Sequence, residues 1–373
     1  IGDWSSDVCS SDLILLSLIF IAPAMAISPL DGMPPLLDQN DIYAADRPNN
    51  LSPVVKNFPE RVYVPNHTSN SVSVIDPKTF KVVATWKTPR GAQHVVPSWD
   101  LKTLWVNDNE GNFLTPIDPA TVTIGKSVPV HDPYNLYFTP NGKYAIVMAE
   151  ADRQLVFRDP HTMAIKKIVK VACSGLNHAD WTADGNYFVA TCEFSGQLIW
   201  VNTAKMKVEA YSFLPTTYNA KPQPQDVKIS PDGKTFYIAD MMSDGVWVMP
   251  ADKFGTYTFI KTGKAAHGLY VTRDSKTLLI TNRGEGSISV LRFSDNKLIA
   301  KWKIPGGGSP DMGGISADGK EFWVSGRYNN VVYVFDIEHG KYLTQIKVGK
   351  EPHGLAIYPQ PGRYSLGHTG IFR

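Results

Sequence analysis

One short turn recurs along this chain and limits its architecture before any local preference is considered. It reads "SWDLK", "TPNGK", "TADGN", "SPDGK", "TRDSK" and "SADGK", starting at Ser98, Thr139, Thr182, Ser230, Thr272 and Ser316. A degenerate seventh copy is "YPQPGRY" at Tyr358. Successive turns are 41 to 48 residues apart, close to the ~40–50-residue period of a four-stranded propeller blade.

The segments between the turns have strand character. "VSVID", "ISVLRF" and "VVYVFD" run apolar or alternate over strand length and are bounded by Asn, Asp and Gly. Each leads into a turn and an outer strand: "KVVATWK", "KLIAKWK" and "YLTQIKV". Outside the apolar N-terminal run, no window has helical periodicity with caps. Six blades follow one another from about Pro89 to Val348. Residues 61 to 88 supply three more strands without an inner one, and "HGLAIYP" near the C-terminus supplies a lone inner strand. Joining the two removes a free sheet edge. The expected fold is an all-β, seven-bladed propeller with four-stranded blades, its first blade closed by strands from both ends of the chain.

Hydrophobic residues make up 43% of the chain, enough for a large packed core. A formal net charge of +2 gives no reason to propose nucleic acid as a partner. Residues 1–26 are read as an adapter-like stretch, "IGDWSSDVCSSD", followed by a secretory signal peptide, "LILLSLIFIAPAMA", cut after Ala26. Residues 27–60 are an irregular lead-in rich in Pro, Asp and Asn, and residues 61–373 form the propeller. The expected location is periplasmic or secreted at the cell surface, with no transmembrane segment in the mature chain and a monomeric state. Cys9 falls in the adapter-like stretch, leaving Cys173 and Cys192 in an oxidising compartment. They fall at the neighbouring ends of the inner and second strands of blade four, so a disulfide is expected.

The residues just before each inner strand should face the mouth of the central channel. They are Gln93, Tyr134, Asn177, Gln225, His267, Asp311 and His353, followed by His94, Asn135, His178, Asp226, Gly268, Met312 and Gly354. The loop leaving each second strand returns to the same face and supplies His67, Asp108, Glu150, Glu193, Met241, Arg283 and Arg327. Acids fall on blades two to four and arginines on blades six and seven, dividing the mouth into an acidic and a basic sector. A small polar ligand is expected there, bound by Arg283, Arg327, His267, Gln225, Asn177, Glu193 and Asp311, with the arginines on a carboxylate or phosphate. His67, His94 and His353 on neighbouring blades could instead ligate a metal or a haem iron. His131, His161 and His339 fall in turns and should be solvated.

"YVPNHTSNSVSVIDPKTFKVVATWKT" resembles the YVTN repeat of YncE-like seven-bladed propellers, over roughly residues 60 to 360. The resemblance implies an exported or surface protein. More distant relatives include propellers that hold haem d1 in nitrite reductases, and propeller lactonases. The chain carries no CxxCH, HExxH, GxSxG, P-loop or GxGxxG. Gly306 to Gly308 precede a strand, not the helix N-terminus that a phosphate cradle needs. A binding or scaffold propeller for a small ligand or a protein partner is therefore expected, rather than an enzyme. A protein with a haem d1-like or metal cofactor and a lactonase-type hydrolase are the alternatives.

Overall fold

The structure is a computed structural model that describes residues 1–2, 28–217 and 220–373. The adapter-like stretch, the apolar run read as a signal peptide and Cys9 lie outside the described residues, apart from the first two positions.

The chain is an all-β propeller of seven antiparallel sheets, or blades. Blade four is representative: Leu176–Trp181, Tyr187–Cys192, Gln197–Asn202 and Lys207–Phe213, from the axis outward. Its inner strand is buried throughout, whereas its outer strand alternates exposed and half-buried residues. Burial thus falls from the axis outward, while outer strands such as Lys81–Lys87 leave Val82 and Val83 exposed.

The recurrent turn is built alike in all six copies. Its first residue, Ser or Thr, donates its hydroxyl to the Asp or Asn two positions on, as in Ser98 to Asp100 at 2.7 Å and Ser316 to Asp318 at 2.6 Å. That side chain in turn accepts the amide of the fifth residue, as from Lys102 and Lys320. The fourth residue has positive φ in every copy, which Gly142, Gly185, Gly233 and Gly319 adopt without strain. Local hydrogen bonding thus explains the sequence signature.

Blade one closes as the sequence implies. Ala356–Tyr358 lies inside Arg61–Asn66, with Val62 opposite Ile357 and Tyr63 opposite Ala356. Seven apolar clusters fill the seven spaces between neighbouring blades. The space between blades seven and one is packed like the others, by Val62, Val64, Trp323, Val332 and Ile357.

One face of the ring is covered. The lead-in crosses the turns in blade order: Leu30 N donates to Asp184 O, Ile42 N to Pro231 O, and Asn49 N to Ala317 O, each at 2.8 Å. Asp46 pairs with Arg273, and Arg47 reaches Ser275 at 2.9 Å. The C-terminal tail passes beneath the same face, where Tyr364 stacks on Trp99 and Phe138 N donates to Leu366 O at 3.0 Å. Its terminal residue, Arg373, is 1% exposed and meets Asp180 at 3.1 Å. The opposite face carries the loops that enter the inner strands.

Candidate functional site

On the open face, five inner strands carry a register slip at their entry, between Ala92 and His94, Leu176 and Ala179, Pro224 and Val227, Ala266 and Leu269, and Pro310 and Gly313. Such a bulge opposes extra residues to the partner strand and re-aims their side chains. Hydroxyls from the second strand fix it: Thr191 accepts His178 N, Thr281 accepts Gly268 N and Ser325 accepts Met312 N. Consecutive residues can therefore both reach the axis. Asn177 meets Gln225 and Glu193, while His178 next to it packs on other imidazoles.

Asp311 is the electrostatic centre. It is wholly buried and is approached by His353 Nδ1 at 2.6 Å, by His267 Nδ1 and Arg283 at 3.2 Å, and by Arg327 at 3.7 Å. Burial opposes its charge, but His267, His353 and Arg283 outweigh burial and hold the carboxyl well below the usual carboxylate range. Arg283 also touches Met241 Sδ and lies over the Tyr328 ring. The arginines, expected at the channel mouth, are only 13% and 16% exposed at the side chain. Their first partner is a protein carboxylate.

Below this knot, imidazoles fill the channel. His94 lies 4.0 Å from His368 and 4.9 Å from His353 between ring centroids, and His178 stacks on His368 at 5.1 Å. A Cβ on Gly354 would lie 2.2 Å from His94 Cδ2, so only glycine admits the rings. His94 Nδ1 meets Tyr134 O at 2.7 Å, and His178 Nδ1 lies near Asn135 and Tyr137. Burial lowers the pKa of His94 and of His267 to about 3, and those of His178, His353 and His368 well below the ordinary value. His94, His178 and His368, which do not touch Asp311, are neutral at pH 7.

The expected set of His67, His94 and His353 is only partly assembled. His94 and His353 are adjacent, whereas His67 lies at the rim between Glu110 at 3.6 Å and Glu351 at 3.7 Å. His178 and His368 stand with His94 instead. His368 comes from the tail, which follows no repeat, so the blade register gave no signal for it. His131, His161 and His339 are exposed.

Around the mouth, Asn177 donates to Glu193 at 3.2 Å, and Gln225 lies 3.4 Å from Asn177. Burial first, then Glu193 and Asp132, push Glu150 up to about 8, and burial raises Asp108 to about 7. The acidic sector is thus less charged at pH 7 than its residues imply. Cys173 and Cys192 are joined as a disulfide with Cα atoms 5.9 Å apart. Imidazole centroids separated by 4.0 to 6.4 Å leave no slot for a macrocycle among them. His94 and His353 thus do not fit a haem d1 between their rings.

A family model described as a YNCE-like beta-propeller matches residues 51–361. No curated protein matches significantly. Among solved structures, the fold is similar to that of a functionally unknown protein from Desulfotomaculum acetoxidans DSM 771. The two are 13% identical, with TM-score 0.67 over 80% of this chain and 98% of that one. It is also similar to a periplasmic gluconolactonase from Pseudomonas aeruginosa, at 16% identity and TM-score 0.65, covering 81% and 99% of the two chains. A dihydro-haem d1 dehydrogenase in complex with DHE is 13% identical with TM-score 0.62, over 83% and 77%. At these identities the likeness concerns the fold.

Proposed function

The chain belongs to the YNCE-like beta-propeller family, and we propose that it is an exported binding protein that takes a small hydroxylated carboxylate at the open channel mouth. The observation that carries this reading is the charge balance around Asp311. Two guanidiniums share one buried carboxylate, with Glu193 and Glu351 as their further acidic neighbours, and Arg327 is the more loosely held of the two at a partly enclosed site. Arg327 is 3.7 Å from Asp311, and its guanidinium donates no hydrogen bond among the described residues. Its planar donor array suits a ligand carboxylate. Across the mouth, Glu193, Asn177 and Gln225 supply donors and acceptors for hydroxyl groups. Export is supported by the Cys173–Cys192 disulfide, since such bonds persist in oxidising compartments.

Gluconate serves as the probe. Isothermal titration should give saturable binding to the purified protein, and Arg327→Ala should weaken it at least tenfold without lowering Tm. Absence of binding by gluconate and by related sugar acids, or an unaffected Arg327→Ala, rejects the reading.

A further inference from the structure

The imidazole cluster below Asp311 contains an arrangement that a mouth ligand does not explain. His94, His178 and His368 each offer a ring nitrogen, and these three atoms all lie within 4.8 Å of one another. The three side chains are buried. Packing alone accounts poorly for the polar atoms placed there. His94 Nε2 and His178 Nε2 are buried and have no hydrogen-bond partner among the described residues, a costly arrangement for a polar group. The opposite nitrogens are engaged. His94 Nδ1 donates to Tyr134 O at 2.7 Å, and His178 Nδ1 faces Asn135, Tyr137 and, at 4.0 Å, Asp226. In His94 a proton held on Nδ1 by this carbonyl leaves Nε2 with a lone pair, the tautomer used by metal-ligating histidines, whereas in His178 the Asn135 amide donor and the Asp226 carboxylate both face Nδ1.

We propose that His94, His178 and His368 hold one late first-row transition-metal ion, copper or zinc, on the propeller axis. Neutral imidazoles are the common ligands of these ions. Three protein nitrogens leave a fourth coordination position, as in open zinc sites. His353, carried by Asp311, stands beside His94, and its buried Nε2 also has no hydrogen-bond partner among the described residues. It is placed to act as fourth ligand or as a hydrogen-bonding neighbour. Asp226, buried beside His178, is the nearby carboxylate, and the buried Lys228 also lies close enough to act on His178. One ligand belongs to blade two, one to blade four and one to the tail, so the ion would also tie the tail into the channel. The site is distinct from the mouth, and neither proposal depends on the other.

The test uses tag-free, full-length exported protein stripped with chelator, then loaded separately with Zn2+ and Cu2+ and desalted. About one ion per chain should be retained by elemental analysis for at least one of the two metals. His94→Gln, His178→Gln and His368→Gln should each reduce retention at least tenfold, while His67→Gln and the exposed His131→Gln and His161→Gln leave it unchanged. Since a core variant can misfold, the unmutated protein gives a second readout. Its Cu2+ form should show electron paramagnetic resonance splitting from several imidazole nitrogens, and metal should protect the tail from carboxypeptidase. Retention below about one ion per ten chains for both metals overturns the proposal. So does retention undiminished in folded His94→Gln and His178→Gln variants, or copper retained without nitrogen splitting.

Discussion

His353 Nδ1 lies 2.6 Å from the Asp311 carboxylate, joining the inner strand of blade seven to the chain segment that closes blade one. His267 and Arg283 of blade six reach the same carboxylate. One buried acid therefore links three consecutive blades at the closing point of the ring.

Replacing that acid should be costly. In Asp311→Asn, Arg283 and Arg327 lose their countercharge while staying largely buried. Urea unfolding should show a loss of about 3–5 kcal/mol, the usual range for breaking a buried ion pair from one side. A loss below about 1 kcal/mol, typical of surface pairs, would mean that solvent already screens this knot.

Glu150 should give the stability a pH dependence of defined sign. Its folded value, about 8, lies above the ordinary 4.5, so the folded chain keeps a proton that the unfolded chain releases between those limits. Stability from the neutral form is full below about 4.5 and is lost as pH rises through about 8. Between about 6.5 and 8, above the range in which the buried histidines gain protons on unfolding, thermal melts should fall with pH, and Glu150→Gln should flatten the slope. Parallel slopes in the two proteins would count against a buried neutral Glu150.

The closing strand should matter more than the tail for ring integrity. Removing residues 351–373 deletes Ala356–Tyr358 and exposes the edge of Arg61–Asn66, a template for pairing between chains. Removing residues 363–373 keeps that strand. Size-exclusion chromatography should find aggregates for the first deletion and mainly monomer for the second. Monodisperse, cooperatively melting protein after the longer deletion would contradict closure as the source of stability.

The disulfide should stabilise blade four. Cys173 and Cys192 are 19 residues apart, and closing a loop near this size is worth about 3 kcal/mol in the chain-entropy model. Cys173→Ser with Cys192→Ser should lower stability by about that amount. Non-reducing peptide mapping of the exported protein should recover the linked pair. Two cysteines alkylated without reductant would show that the bond does not form in the exporting cell.

The blade count and the ring were legible because they rest on short-range rules. Each turn satisfies its own hydrogen bonds within five residues, and the buried second and third strands of a blade carry largely apolar runs. Those features repeat with the period of the blade. Split blade one could be read because an inner strand was missing at one end and a lone one remained at the other. The candidate site was legible only as a list of residues near the mouth. Local pattern does not tell that a bulge directs both Asn177 and His178 inward, or that Asp311 takes the charge of Arg283 before any ligand. Nor does the repeat provide for His368, which enters the channel on a tail outside the period, or for His67 staying at the rim beside Glu110 and Glu351. These positions were decided by tertiary structure, because ring closure and tail insertion bring together side chains from blades two, four, six and seven with the chain's end. Proximity across such sequence distances is a property of the closed ring and has no counterpart in any single blade.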